Sequence, residues 1–146
     1  MKKHENLTKR LNEYKYIREN VKELEERLLE IDTELRKITQ MFNDMPQGNN
    51  TDPDKLTNKI QAKIDIENQI NDEITNGYKE MKLIEDLIEE LDEREKLLMR
   101  LRYINCYSWE KICVEMNYSW RQVHYIHSNS LKKIKGKFET LHSVAL

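Results

Sequence analysis

Residues 108–135 read SWEKICVEMNYSWRQVHYIHSNSLKKIK, and the way this stretch divides decides the fold. The break falls at Asn117-Tyr118-Ser119. Ahead of it, Trp109, Ile112, Cys113 and Met116 recur on one face of a short helix that Ser108 is suited to cap. Behind it, Val123, Ile126, Leu131 and Ile134 form the inner stripe of a longer helix. Ser119 suits the N-cap of that second helix, and Gln122 three positions on completes the reciprocal hydrogen bonds of a capping box. A short helix, a turn of about three residues and a longer helix are the parts of a helix-turn-helix.

Immediately upstream, LDEREKLLMRLRY (91–103) opens with Asp92 and Glu95 at capping-box spacing. It places Leu97, Leu98, Leu101 and Tyr103 on a broad apolar face, so a fresh helix is expected to start here and pack into a globular core.

Further upstream the pattern narrows. Leu7, Tyr14, Val21, Leu28, Leu35 and Phe42 occupy one heptad position, and Ile17, Leu24, Ile31, Ile38 and Met45 the other, interrupted by Arg10. A stripe this narrow, kept up over roughly 40 residues or about 60 Å, faces a partner helix rather than a broad core. The segment MPQGNNTDPDK (45–55) holds both prolines and one glycine, with Asp52 suited to cap the next helix and Pro53 to begin it. Leu56, Ile60, Ile64, Ile70, Ile74, Met81, Ile84, Ile88 and Leu91 then continue at helical spacing. The phase is kept across Asn76-Gly77, which predicts one unbroken helix. The expected architecture is all-α: residues 1–91 form a long antiparallel coiled-coil hairpin with helices over about 5–45 and 53–91, 92–138 a helix-turn-helix domain, and 139–146 a tail. Two helices enclose little interior, so a second copy is expected to complete the stem as a homodimer.

Charge is divided along the chain. Residues 92–146 carry ten Lys and Arg against six Asp and Glu, a balance of +4, while the upstream part carries fifteen against twenty-one, or −6. That asymmetry favours a polyanionic partner for the last third. Cys106 and Cys113 are too few for a disulfide framework and lack the spacing of a zinc site, so they read as buried thiols. No stretch is long and apolar enough for a bilayer, and the N-terminus does not read as a signal peptide, so a cytoplasmic protein is expected. No Gly-rich phosphate loop, activated nucleophile or paired carboxylates stand out, so neither enzymatic activity nor a cofactor or metal is expected.

The segments LDEREKLLMRLRY, SWEKI and VHYIHSNSLKKIK resemble the successive helices of region 4 of bacterial sigma factors, over roughly residues 88–137. The long stem ahead of such a module is similar to phage late-gene regulators of the ArpU and RinA kind. The resemblance implies sequence-specific binding of double-stranded DNA near a promoter, together with RNA polymerase, in a bacterial host cell. It carries no counterpart of the sigma regions that melt promoter DNA.

In a helix-turn-helix the start of the second helix reads base edges in the major groove. Trp120, Arg121, Gln122, His124 and Tyr125 fall there, with Arg121 suited to guanine and Gln122 to adenine. Against the family pattern, Arg121 stands where an acid is usual and His124 where Arg is usual, so the family's standard target is not expected. Ser119, Arg100, Arg102, Lys132, Lys133, Lys135 and Lys137 are the expected phosphate contacts, and no acid lies between Ser119 and Lys137. His124 and His127 are expected to face DNA rather than a metal, and Trp109 to anchor the core. Two other readings stay open: recognition of phage DNA for packaging, as in small terminase subunits, and an adaptor that occupies a sigma or polymerase surface without reading DNA.

Overall fold

Caps chosen by the local sequence set the helix boundaries. The computed structural model describes residues 2–44 and 53–144. It is all-α, with no strand among the described residues. Helix α1 spans Lys2–Asn43, α2 Pro53–Glu89, α3 Glu93–Met99, α4 Trp109–Met116 and α5 Trp120–Val144. A π-helical segment, Arg100–Ile104, continues α3. Pro53 begins α2 as expected, and α2 passes through Gly77 without a break. Helix α5 runs to Val144, so residues 139–144 extend the helix where a tail was expected. Met45 and Asp52, expected at a seam and a cap, lie outside the described residues.

The chain forms two compact units, each spanning parts of both α1 and α2: Glu19–Tyr78, and Met1–Arg18 together with Lys79–Leu146. In the first, Leu24 and Ile31 of α1 are buried with Ile70 of α2, flanked by half-buried Leu28, Leu35 and Ile74. Polar pairs cross the same seam in reversed order. The Tyr78 hydroxyl donates to Glu25 and Lys63 pairs with Glu34, so the two helices run antiparallel here, as a hairpin requires. Phe42, expected in the seam, is 56% exposed.

In the second unit Leu7, Leu11 and Tyr14 of α1 share one apolar cluster with Ile84, Leu87, Ile88 and Leu91 and with residues from α3 to α5. Leu91, the expected limit of the stem, therefore lies inside a core that the two ends of the stem share with the C-terminal helices. Leu11 was not part of the expected seam but is 1% exposed. A helix entering a core with several neighbours widens its apolar stripe beyond the two positions that a single partner needs. Arg18 fastens the arrangement, its Nη1 donating to the carbonyl of Ile104 at 2.7 Å.

Asp92 caps α3 by accepting from the Glu95 N–H at 2.9 Å. The Glu95 carboxylate turns inward to Lys133 and Ser130 of α5. Leu98, Met99 and Tyr103 are buried, whereas Leu97, expected beside them, is 48% exposed, because a step of one residue turns about 100° away from the inner stripe. Past Ile104, Cys106 takes the left-handed conformation at φ 60°; its thiol is exposed and Cys113 is half-buried, unlike the buried pair expected. Ser108 then caps α4 through the Lys111 N–H, and Asn117 ends it in the left-handed conformation, φ 55° and ψ 44°.

Candidate nucleic-acid interface

Helix α5 begins with the reciprocal pair expected of it. The Gln122 N–H donates to Ser119 Oγ at 3.2 Å, and the Ser119 N–H donates to Gln122 Oε1 at 2.9 Å. One face of the helix then goes inward: Val123, Ile126 and Ile134 are buried, and so is Ser130. Ser130, which the apolar pattern passed over, is tolerated in the core because its hydroxyl donates to the Ile126 carbonyl at 2.8 Å. Leu131, expected on the inner face, is half-buried.

The opposite face is exposed. Arg121, Tyr125, Ser128 and Lys132 stand at successive turns of one stripe, with Tyr125 69% exposed. Among the described residues, neither Arg121 nor Lys132 is paired with an acid, and the same holds for half-buried Lys135. The remaining basic candidates are engaged. Arg100 pairs with Glu89, Lys137 with Glu90, and Lys133 with Glu95 at 2.6 Å and Asp92 at 3.8 Å. Arg102 turns inward, donating to the Tyr107 carbonyl at 3.0 Å with its guanidinium 4.4 Å from the Trp109 ring centroid. The start of α3 places acids against Lys133, so the free cationic surface follows the Arg121–Lys132 stripe.

Between these faces lies an aromatic ladder that the sequence reading did not anticipate. The His124 ring sits 4.5 Å from both Trp109 and Trp120, and Trp109 meets His127 edge-on at 4.7 Å. His127 Nε2 lies 2.7 Å from the Tyr103 hydroxyl. His124 and His127, expected to face DNA, thus turn toward the protein's own aromatic rings. Burial explains the inversion, since α4 lies over this side of α5 and its Trp109 offers an apolar wall for two imidazoles. Burial also pushes His127 down to about 4, helped by the electrostatic influence of neighbouring His124 and Arg102, so the ring is neutral near pH 7. His124 Nε2 is buried without a hydrogen-bond partner.

The Trp120 ring meets the His124 ring at a tilt of 49°, centroids 4.5 Å apart, and remains 52% exposed. Of the five residues expected to read bases, Trp120, Arg121, Gln122 and Tyr125 are therefore exposed together, and His124 packs against Trp120. The Gln122 carbonyl oxygen is already used in the cap, as its spacing of three from Ser119 signals. Among the described residues, no helix is long and apolar enough to cross a membrane. Compared with family models, curated proteins and solved structures, the chain matches none of them.

Proposed function

We propose that the chain is a sequence-specific double-stranded-DNA-binding transcription regulator, in which α4, the Asn117–Ser119 turn and the start of α5 act as a helix-turn-helix. The observation that carries this reading is the exposed, acid-free stripe of Arg121, Tyr125 and Lys132 on a helix braced from behind by buried Val123, Ile126 and Ile134. A braced helix bearing free guanidinium and ammonium groups meets two demands of the major groove: donors for base edges and cations for phosphates. Arg121 is the base reader, flanked by Trp120 and Tyr125. Lys132 and Lys135 hold phosphates, and Arg100, Lys133 and Lys137 exchange carboxylate partners for phosphate on binding.

The α1–α2 seam of the Glu19–Tyr78 unit buries few apolar side chains, and Leu29, Phe42 and Ile66 are exposed beside it. Two helices with so thin a core gain by packing against a second copy, which supports a homodimer. Activation of phage late genes beside RNA polymerase, in a bacterial cytoplasm, is the setting implied by the resemblance to sigma region 4 together with the similarity to phage late-gene regulators of the ArpU and RinA kind.

Selection of duplexes from a randomised library, repeated at two salt concentrations, tests the reading. A common sequence should be enriched and affinity should fall steeply as salt rises. Failure to enrich any sequence rejects it. Light scattering should give a dimer, and a monomer at micromolar concentration rejects the stem assignment.

A further inference from the structure

Resting on the DNA-binding reading, we infer that the leading edge of α5 reads a guanine beside a thymine, the guanine through Arg121 and the thymine through its C5 methyl group seated on the Trp120 indole. The hydrogen bonds at the start of the helix dictate what chemistry is left to read with. Recognition of adenine by a glutamine needs the carbonyl oxygen to accept from N6 while the amide nitrogen donates to N7. The Gln122 oxygen already accepts from the Ser119 N–H at 2.9 Å. That partner is a backbone donor, so the orientation of the amide follows from it. Adenine readout would compete with the cap for the same amide.

His124 is withdrawn as well, packed between Trp109 and Trp120. What remains outward is a guanidinium without an acidic partner, a phenol, and an indole that is 52% exposed. In the major groove, guanine O6 and N7 accept a guanidinium in bidentate fashion, and the thymine methyl is the apolar group an indole can cover. Because Trp120 already rests on His124, little side-chain freedom is lost when it closes on that methyl.

The test uses the full chain and the duplex most enriched from a randomised library, with binding followed by fluorescence anisotropy at fixed salt. Each thymine is replaced in turn by uracil, which removes only the methyl. One replacement should weaken binding roughly fourfold, the worth of one buried methyl-sized group. Trp120→Ala should bind the thymine and uracil duplexes equally, and Tyr125→Ala should keep the difference. If circular dichroism shows that Trp120→Ala has lost helix, Trp120→Phe carries the comparison, with the ratio reduced to about twofold. Binding that is indifferent to every uracil overturns this inference and leaves the DNA reading intact, as does a ratio undiminished in the Trp120 variants. Absence of binding to any duplex overturns both.

Discussion

The Tyr103 hydroxyl and His127 Nε2 lie 2.7 Å apart, with the two rings stacked at a centroid separation of 5.9 Å. This contact joins the π-helical segment to α5 across the part of the core that supports Trp109 and His124. Burial pushes the Tyr103 phenol up to about 12 and His127 down to about 4. Both groups are therefore neutral near pH 7, and a neutral imidazole nitrogen can accept the phenol proton where an imidazolium cannot.

Acid should weaken the fold through His127. Its folded value lies below the ordinary 6.5, so as pH falls the unfolded chain takes up the proton first. Its contribution is fully present above about pH 6.5 and is lost as pH drops toward 4. Allowing for partial exposure of the ring, the loss between about pH 7 and pH 4.5 is on the order of 2 kcal/mol. Urea unfolding of the native chain and of His127→Gln at both pH values measures it. A variant with the same pH dependence as the native chain would rule out this assignment.

The Ser119–Gln122 box should behave as a coupled unit. Ser119→Ala and Gln122→Ala each remove one of its two hydrogen bonds, and the loss of Ser119 as cap should cost about 0.5–2 kcal/mol. In the double variant the cost should be less than the sum, because each half helps to position the other. Strict additivity in chemical denaturation would mean that the two bonds form independently.

Asn117 should tolerate glycine better than alanine. With φ at 55°, a Cβ is disfavoured unless the residue type accepts the left-handed region. Asn117→Ala should lose about 1 kcal/mol, while Asn117→Gly should stay within a few tenths of the native chain. Equal stability of the two in thermal melts would show that the turn relaxes out of that conformation.

Arg121 and Lys132 share an exposed stripe but are expected to do different work. Arg121→Ala should narrow the gap between cognate and random DNA by about 1–3 kcal/mol. Lys132→Ala should weaken binding to all sequences and reduce the steepness of the salt dependence by about one counterion. Equal effects of both changes on cognate and random duplexes would contradict that division of labour.

The parts of the fold legible in the sequence are those settled within a turn or two of helix. Asp92, Ser108 and Ser119 cap the helices expected of them, and each makes its bond to a residue three positions on. Continuity of α2 through Gly77 follows from an unbroken apolar phase. The exposed positions of Arg121, Gln122 and Tyr125 follow from the same periodicity, because the buried stripe of Val123, Ile126 and Ile134 leaves them on the outside.

Periodicity names a face but not what will cover it, and here the tertiary structure decided. His124 and His127 turn toward Trp109, fifteen and eighteen positions away, for which no local rule speaks. Glu95 is buried and pairs with exposed Lys133, thirty-eight residues on, which engages a cation that composition alone would give to phosphate. Leu11 goes in because the start of α1 meets several helices where the heptad stripe assumes one. Caps and helical phase are short-range consequences of backbone hydrogen bonding, and one chain segment contains all their terms. Side-chain partnership depends on which helix arrives from elsewhere, and only the folded chain supplies it.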